Sequence, residues 1–115
     1  MNIERFEDMI AWQKSKSLTV FIYKCMKGSR DFGFKDQLQK ASVSVMNNIA
    51  EGFERRSDKE LSRFLFIAKV SCGEVRSMLT LGLELDYLTN DDHSYLFKLS
   101  IEISRMLSGF IKKLK

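Results

Sequence analysis

Within Ser44–Ser57, SVMNNIAEGFERRS, two adjacent amides and a carboxylate (Asn47, Asn48 and Glu51) stand beside Ile49 and Ala50 and lead into Gly52-Phe53-Glu54-Arg55-Arg56. Amide and carboxylate groups about one helical turn apart can serve three chemistries. They can take part in acid–base catalysis, satisfy one another as a polar latch at the edge of a core, or join the following arginines in holding a nucleic acid. A second polar pair, Ser71 and Glu74, interrupts an otherwise apolar row farther along the chain. A third set is cationic: Arg55, Arg56, Lys59 and Arg63 follow closely on one another, with Lys40 before them and Lys69 after.

Other chemistries lack their residues. The one histidine, His93, has Asn90 rather than glutamate three residues before it, so the Glu-x-x-His pairs of di-metal bundles are missing. No Cys-x-x-Cys and no glycine-rich phosphate loop occurs. No metal and no cofactor is expected, His93 reads as an exposed polar residue, and enzyme activity is not expected.

The elements that carry these groups read as helices. The chain has 115 residues, no proline, 44% hydrophobic and 30% charged residues, the profile of one folded domain in which helices can run long. Helix one is predicted from about Phe6 to Lys27, with Phe6, Met9, Ile10, Leu18, Phe21, Ile22 and Cys25 spaced at three and four. The segment Gly28-Ser29-Arg30-Asp31-Phe32-Gly33 is a turn. Helix two spans about Phe34 to Glu54, with Leu38, Ser42, Val45, Ile49 and Phe53 inward. Ser57-Asp58-Lys59-Glu60 fits a capping box that starts helix three, which runs to about Leu85. Thr89-Asn90-Asp91-Asp92 starts helix four, which carries Leu96, Leu99, Ile103, Leu107 and Phe110 on one face and ends in Lys112, Lys113 and Lys115. Short connections between four long helices imply an all-α, antiparallel up-down-up-down four-helix bundle.

On this scaffold Asn47 points to solvent, whereas Asn48 joins Gln37, Ser44, Glu51 and Arg55 in a polar row bordering the core. Helix three is apolar on more than one face. Its inward line is Leu61, Phe64, Leu65, Ala68, Cys72, Val75 and Leu79. Beside it run Ile67, Ser71, Glu74, Met78, Leu81 and Leu85, and the outward centre holds Lys59, Arg63, Phe66, Val70 and Gly73. A helix apolar on two faces is buried on two faces, so a homo-oligomer is expected. The polar row of helix two then pairs with Ser71 and Glu74, within a subunit or across an interface, with Asn48 and Glu51 in structural roles. The alternative is that Glu51 and Glu74 are ordinary rim carboxylates.

The amino terminus, Met1 to Asp8, mixes charges where a secretory signal needs an apolar run, and no stretch approaches the roughly 18 apolar residues of a membrane span, so a cytoplasmic location without membrane partners is expected. Cys25 and Cys72 fall on the order of ten residues apart along the bundle axis, roughly 15 Å, too far for a disulfide, and read as buried free thiols. The net charge is +4. Glu84, Asp86, Asp91 and Asp92 cluster near one end of the bundle, the arginines and the lysine tail near the other, so an electrically lopsided molecule is expected.

Several segments carry a family resemblance: Phe6 with Ala11-Trp12-Gln13-Lys14, Gln37 to Ser44, Asn48-Ile49-Ala50-Glu51-Gly52, Ser57-Asp58-Lys59-Glu60 with Phe64, and Ile67 to Glu74. In this order, spanning nearly the whole chain, they resemble the bacterial four-helix bundle, or 23S rRNA-intervening sequence, protein family. The family is similar to the accessory variability determinant of diversity-generating retroelements, a pentameric basic bundle that engages nucleic acid. The resemblance implies the bundle fold and a ring-like assembly, with a pentamer as the expected homo-oligomer. Cys72-Gly73 departs from the family pattern, in which a small residue is more often followed by an apolar one.

Two functions compete. In the first, the protein binds RNA or DNA without catalysis: Lys40, Arg55, Arg56, Lys59, Arg63 and Lys69 meet phosphates, and Phe66 stacks on an unpaired base. In the second it is a scaffold that docks a protein partner on Phe66, Val70 and Gly73. The plain alternative to both is that the charge run only solvates one end of the bundle.

Overall fold

The chain, as a computed structural model, is described over residues 3–114. Four α-helices follow one another: α1 (Ile10–Met26), α2 (Phe32–Glu54), α3 (Asp58–Glu84) and α4 (Asn90–Lys113). Each packs on its neighbours in sequence and α4 closes onto α1, while among the described residues the backbones of the diagonal pairs do not come close. This is the up-down-up-down bundle, a rod of 42 × 20 × 19 Å. Its long axis is the length of α3, whose 27 residues at about 1.5 Å each span roughly 40 Å.

The core is one apolar seam. Leu18 and Ile22 of α1, Leu38, Val45 and Ile49 of α2, Leu65, Ala68, Cys72, Val75 and Leu79 of α3, and Leu96, Ile103 and Leu107 of α4 are fully buried. The inward lines expected for helices two and three are buried throughout, except that Phe64 is half-buried. The buried hydroxyls are satisfied locally: Ser15 donates to the Ala11 carbonyl at 2.6 Å and Ser42 to that of Gln39 at 2.8 Å. Thr19 donates to its own helix at Ser15 (2.8 Å) and across to Ser42 O of α2 (3.1 Å).

Helix one differs from expectation at its start. Phe6–Asp8 form a 3-10 turn, Met9 is extended, and the α-helix begins only at Ile10. The cause is tertiary: Met9 is 1% exposed and plugs the core, which turns the chain at that residue. Phe6 packs edge-on against Trp12 at 5.2 Å, and the Gln13 amide donates to Glu7 O at 2.9 Å, holding the turn in place. Ile10, expected inward, faces out.

Helix two starts two residues early because Asp31 caps it, its Oδ1 accepting from Phe34 N at 3.1 Å. At the start of α3, Ser57 accepts from Glu60 N at 3.4 Å, but Glu60 does not reach back as a capping box requires. Its carboxylate turns to Arg63 at 3.3 Å and Arg55 at 3.8 Å, stronger partners than a backbone amide. Thr89 caps α4 by accepting from Asp92 N at 3.1 Å.

Helix α3 ends in a Schellman motif: Tyr87 N donates to Gly82 O at 2.8 Å, Asp86 N to Leu83 O at 3.1 Å, and Asp86 takes the left-handed conformation at φ 60°. Arg56 takes the same role after α2, at φ 57°. No helix is long and apolar enough among the described residues to cross a membrane.

Candidate nucleic-acid interface

Antiparallel packing gathers the 3-10 turn, the α2–α3 turn and the last turn of α4 at one end of the rod. Ile3, Asp58, Phe110, Lys113 and Leu114 line one hollow there, of about 720 Å³. Arg55, Arg56, Lys59, Arg63, Lys112 and Lys113 therefore share an end; Lys115 lies outside the described residues.

The cations at this end fall into two groups. Arg55 donates from Nε to Glu51 Oε2 at 3.0 Å, and both Arg55 and Arg63 lie 5.0 Å from the Phe64 ring and pair with Glu60. These two guanidiniums are held and partly neutralised. Arg56 lies over Phe53 at 5.4 Å, and neither it, Lys59, Lys112 nor Lys113 makes an ion pair among the described residues. Among the described residues, the cations at this end without an ion pair are thus Arg56, Lys59, Lys112 and Lys113.

The end is also less uniformly basic than the sequence alone leads one to expect. The 3-10 turn brings Glu7 and Asp8 there, paired with Arg5 at 3.8 and 3.7 Å. At the opposite end Lys24 in the last turn of α1, and Lys27 and Arg30 in the α1–α2 turn, offset Glu84, Asp86, Asp91 and Asp92. The electrical asymmetry is correspondingly weaker, because the α1–α2 turn carries cations that a count over residues 83–95 leaves out.

Two residues of the cationic set lie elsewhere. Lys40 sits about 21 Å up α2 from the basic end, on its outer face, bound to Asp36 at 3.0 Å. Lys69 is half-buried in the groove between α3 and α4. Phe66 and Val70, each 59% exposed, continue with Ile67, Leu81 and Leu85 as an open apolar face of α3, and Gly73 is half-buried beside it.

The polar row of α2 does meet α3. The Ser44 and Ser71 hydroxyls are 2.8 Å apart, and the Asn48 amide donates to Ser44 O at 2.8 Å and to its hydroxyl at 3.0 Å. This seam lies within one chain. Glu51 faces Arg55, and Glu74 is exposed without a hydrogen-bond partner among the described residues, while Met78 packs half-buried on the core. Asn47 is exposed.

Of the groups whose titration is shifted, Cys25, Asp31 and Tyr87 are at the far end and Cys72 is in the middle of α3. Cys25 donates to Asp92 Oδ2 at 3.6 Å; burial and the neighbouring carboxylate push its thiol up to about 11. Cys25 is half-buried rather than buried, being at the mouth of a hollow of about 360 Å³ with Arg30, Asp31 and Tyr87. Burial likewise raises the Cys72 thiol to about 11, opposed by the charge of Arg76. Both cysteines are free. Tyr87 donates from its hydroxyl to Asp31 Oδ2 at 2.7 Å, a link between the α3–α4 turn and the start of α2 that periodicity could not reveal. That bond raises the Tyr87 pKa; with the Phe34 amide as the larger cause, it lowers that of Asp31. His93 is half-buried, not exposed, because its ring lies back on Phe97 at 5.3 Å, one turn along α4. Among the described residues no three His, Cys, Asp or Glu side chains are placed to hold a metal ion.

Comparisons with known proteins add family and fold. A search of curated proteins finds no match. A crystal structure from Bacteroides thetaiotaomicron, described as a protein of unknown function from the S23 ribosomal protein family, superposes with a TM-score of 0.83 at 25% identity. The match covers 90% of this chain and 99% of that one. The profile of the 23S rRNA-intervening sequence protein matches residues 7–109, nearly the whole bundle, and the chain belongs to that family.

Proposed function

We propose that the protein is a non-catalytic, oligomeric helical bundle that binds structured RNA through its basic surfaces. The observation that carries the reading is the set of cations left without acidic partners among the described residues at one end of the rod, Arg56, Lys59, Lys112 and Lys113. Phosphates need positive charge within reach and no base-specific code, so such a set suits a nucleic-acid backbone. The family's name, which ties it to sequences within 23S rRNA genes, points the same way.

Assembly is part of the proposal. Phe66, Ile67 and Val70, and beyond the exposed Glu74 Leu81 and Leu85, leave two open apolar patches spread over about 28 Å of α3, and a second copy is their occupant in this reading. A pentameric ring closed through α3 repeats each basic end five times, and repeated weak binding adds avidity. In the cell such a protein acts in the cytoplasm.

The experiment is a titration of a labelled RNA hairpin with the purified protein over a salt series. Binding that weakens steeply with salt is expected. No binding at low salt overturns the reading in favour of a scaffold that docks a protein on Phe66 and Val70, both unusually open for large apolar residues.

A further inference from the structure

Halfway along the rod, the groove between α3 and α4 holds cations that no acid answers. Lys69 and Arg76 stand two turns apart on the α3 flank that meets α4. Arg105 faces them from α4, and Ile101, Ser104 and Ser108 complete a hollow of about 370 Å³. Lys69, Arg76 and Arg105 make no ion pair among the described residues. The nearest acid on this part of α4, Glu102, is taken by Lys14 at 3.3 Å.

Arg76 is the centre of the arrangement. Its Nη1 is shut off from solvent and has no hydrogen-bond acceptor among the described residues. Its Nη2 lies 3.7 Å from the place a Cβ on Gly73 would take, so the guanidinium lies back along α3 over that glycine. A charged donor withdrawn from water and left unmet is costly, and methionine or leucine at this position would avoid the cost. Nη1 itself is closed off, but the Arg76 side chain lines the open hollow, so an anion seated there can draw the guanidinium outward and meet it.

We infer that this groove is a phosphate-binding site, in which Arg76 and Arg105 grip the anion, Lys69 adds charge and the Ser104 and Ser108 hydroxyls donate hydrogen bonds to it. Paired guanidiniums match the oxygens of a phosphate, and with no acid in the lining the site repels cations. Lys98 and Lys112 stand seven residues to either side of Arg105, and Lys98 shares the next hollow with it, so positive charge continues along α4. The phosphate is either a free phosphoryl group or one unit of a nucleic-acid backbone; the site itself does not depend on the RNA reading.

The probe is inorganic phosphate, exchanged for chloride at constant ionic strength and followed by thermal melting. Phosphate should raise the melting temperature of the unaltered protein about 4 °C more than that of Arg76→Met. In chloride alone, Arg76→Met should melt no lower than the parent, since it removes an unmet charge. The exposed Arg105→Gln, which carries little risk to folding, should also lose most of the phosphate response. Equal responses in all three proteins would mean that phosphate acts only as a generally stabilising salt, and the site would be refuted.

A labelled RNA hairpin separates the two sources. If the phosphate belongs to a backbone, Arg76→Met lowers the magnitude of the salt slope of log affinity by about one and free phosphate competes. If the phosphate response depends on Arg76 while RNA affinity does not, the site takes a free phosphoryl group. If RNA does not bind at all, the proposed function fails and the phosphate response still decides the site.

Discussion

Gly52→Ala tests the closest approach of two helices in the bundle. An added Cβ would lie 2.7 Å from Phe64 Cβ, 3.3 Å from Leu61 Cδ1 and 3.4 Å from Leu61 Cα. The Leu61 methyl can rotate away, but Phe64 Cβ and Leu61 Cα are fixed to the α3 backbone. Restoring separations of about 3.5–4.0 Å requires α3 to move by roughly 1 Å. Overpacking of this kind costs about 1–3 kcal/mol, against a gain of up to about 1 kcal/mol for replacing glycine in a helix. The net loss is up to about 2 kcal/mol, which lowers the melting temperature by up to roughly 8 °C. Gly109→Ala is the control: an added Cβ there meets nothing within 4 Å, so only the propensity gain remains and melting should rise. Melts of both variants followed by far-UV circular dichroism check the pair. A Gly52→Ala protein as stable as Gly109→Ala would refute the reasoning.

Three further outcomes are expected. Asp86→Gly relieves a left-handed residue at the end of α3 and should stabilise the fold by about 0.5–1 kcal/mol in a chemical melt; a loss would show that the aspartate has another role. The raised Tyr87 pKa means that its contribution is complete below the unfolded value and is lost as pH rises through the folded one. Asp31, lowered, loses its contribution as pH falls through its folded pKa. Melting temperature should therefore drop at alkaline and at acid pH, and Tyr87→Phe should remove the Tyr87–Asp31 part of both drops; an unchanged profile would sink the link. Leu81→Lys, on the open face of α3 and 49% exposed, should dissociate the assembly in light scattering while leaving helicity intact, and an unchanged mass would move the interface elsewhere.

The bundle was legible because each helix carries its own apolar line, and two of its starts carry a cap that can be read directly, Ser57 and Thr89. Asp31 was hidden by the glycines around it, although Gly33 sits inside α2 without breaking it. Phe6 and Met9 are spaced as on a helix, but three-residue spacing fits a 3-10 turn equally, and only the burial of Met9 decides between them. At the basic end the Glu51–Arg55 pair was visible as an i,i+4 spacing, whereas the turn of Glu60 toward two arginines depends on side-chain geometry. Arg76 carried no local signal. It sits among apolar residues of α3, and its meaning comes from Arg105, Ser104 and Ser108 on another helix.

The central claim is that the unpaired cations at one end of the rod bind RNA phosphates. Arg55 and Arg63 are poor probes of it, being stacked on Phe64 and paired with Glu51 and Glu60. The direct measurement is RNA affinity against salt for the triple variant Arg56→Gln, Lys59→Gln, Lys113→Gln, with assembly verified by light scattering. The account predicts weaker binding and a salt slope reduced by roughly one for each phosphate that the variant no longer neutralises. Unchanged affinity and slope in a correctly assembled variant would contradict it.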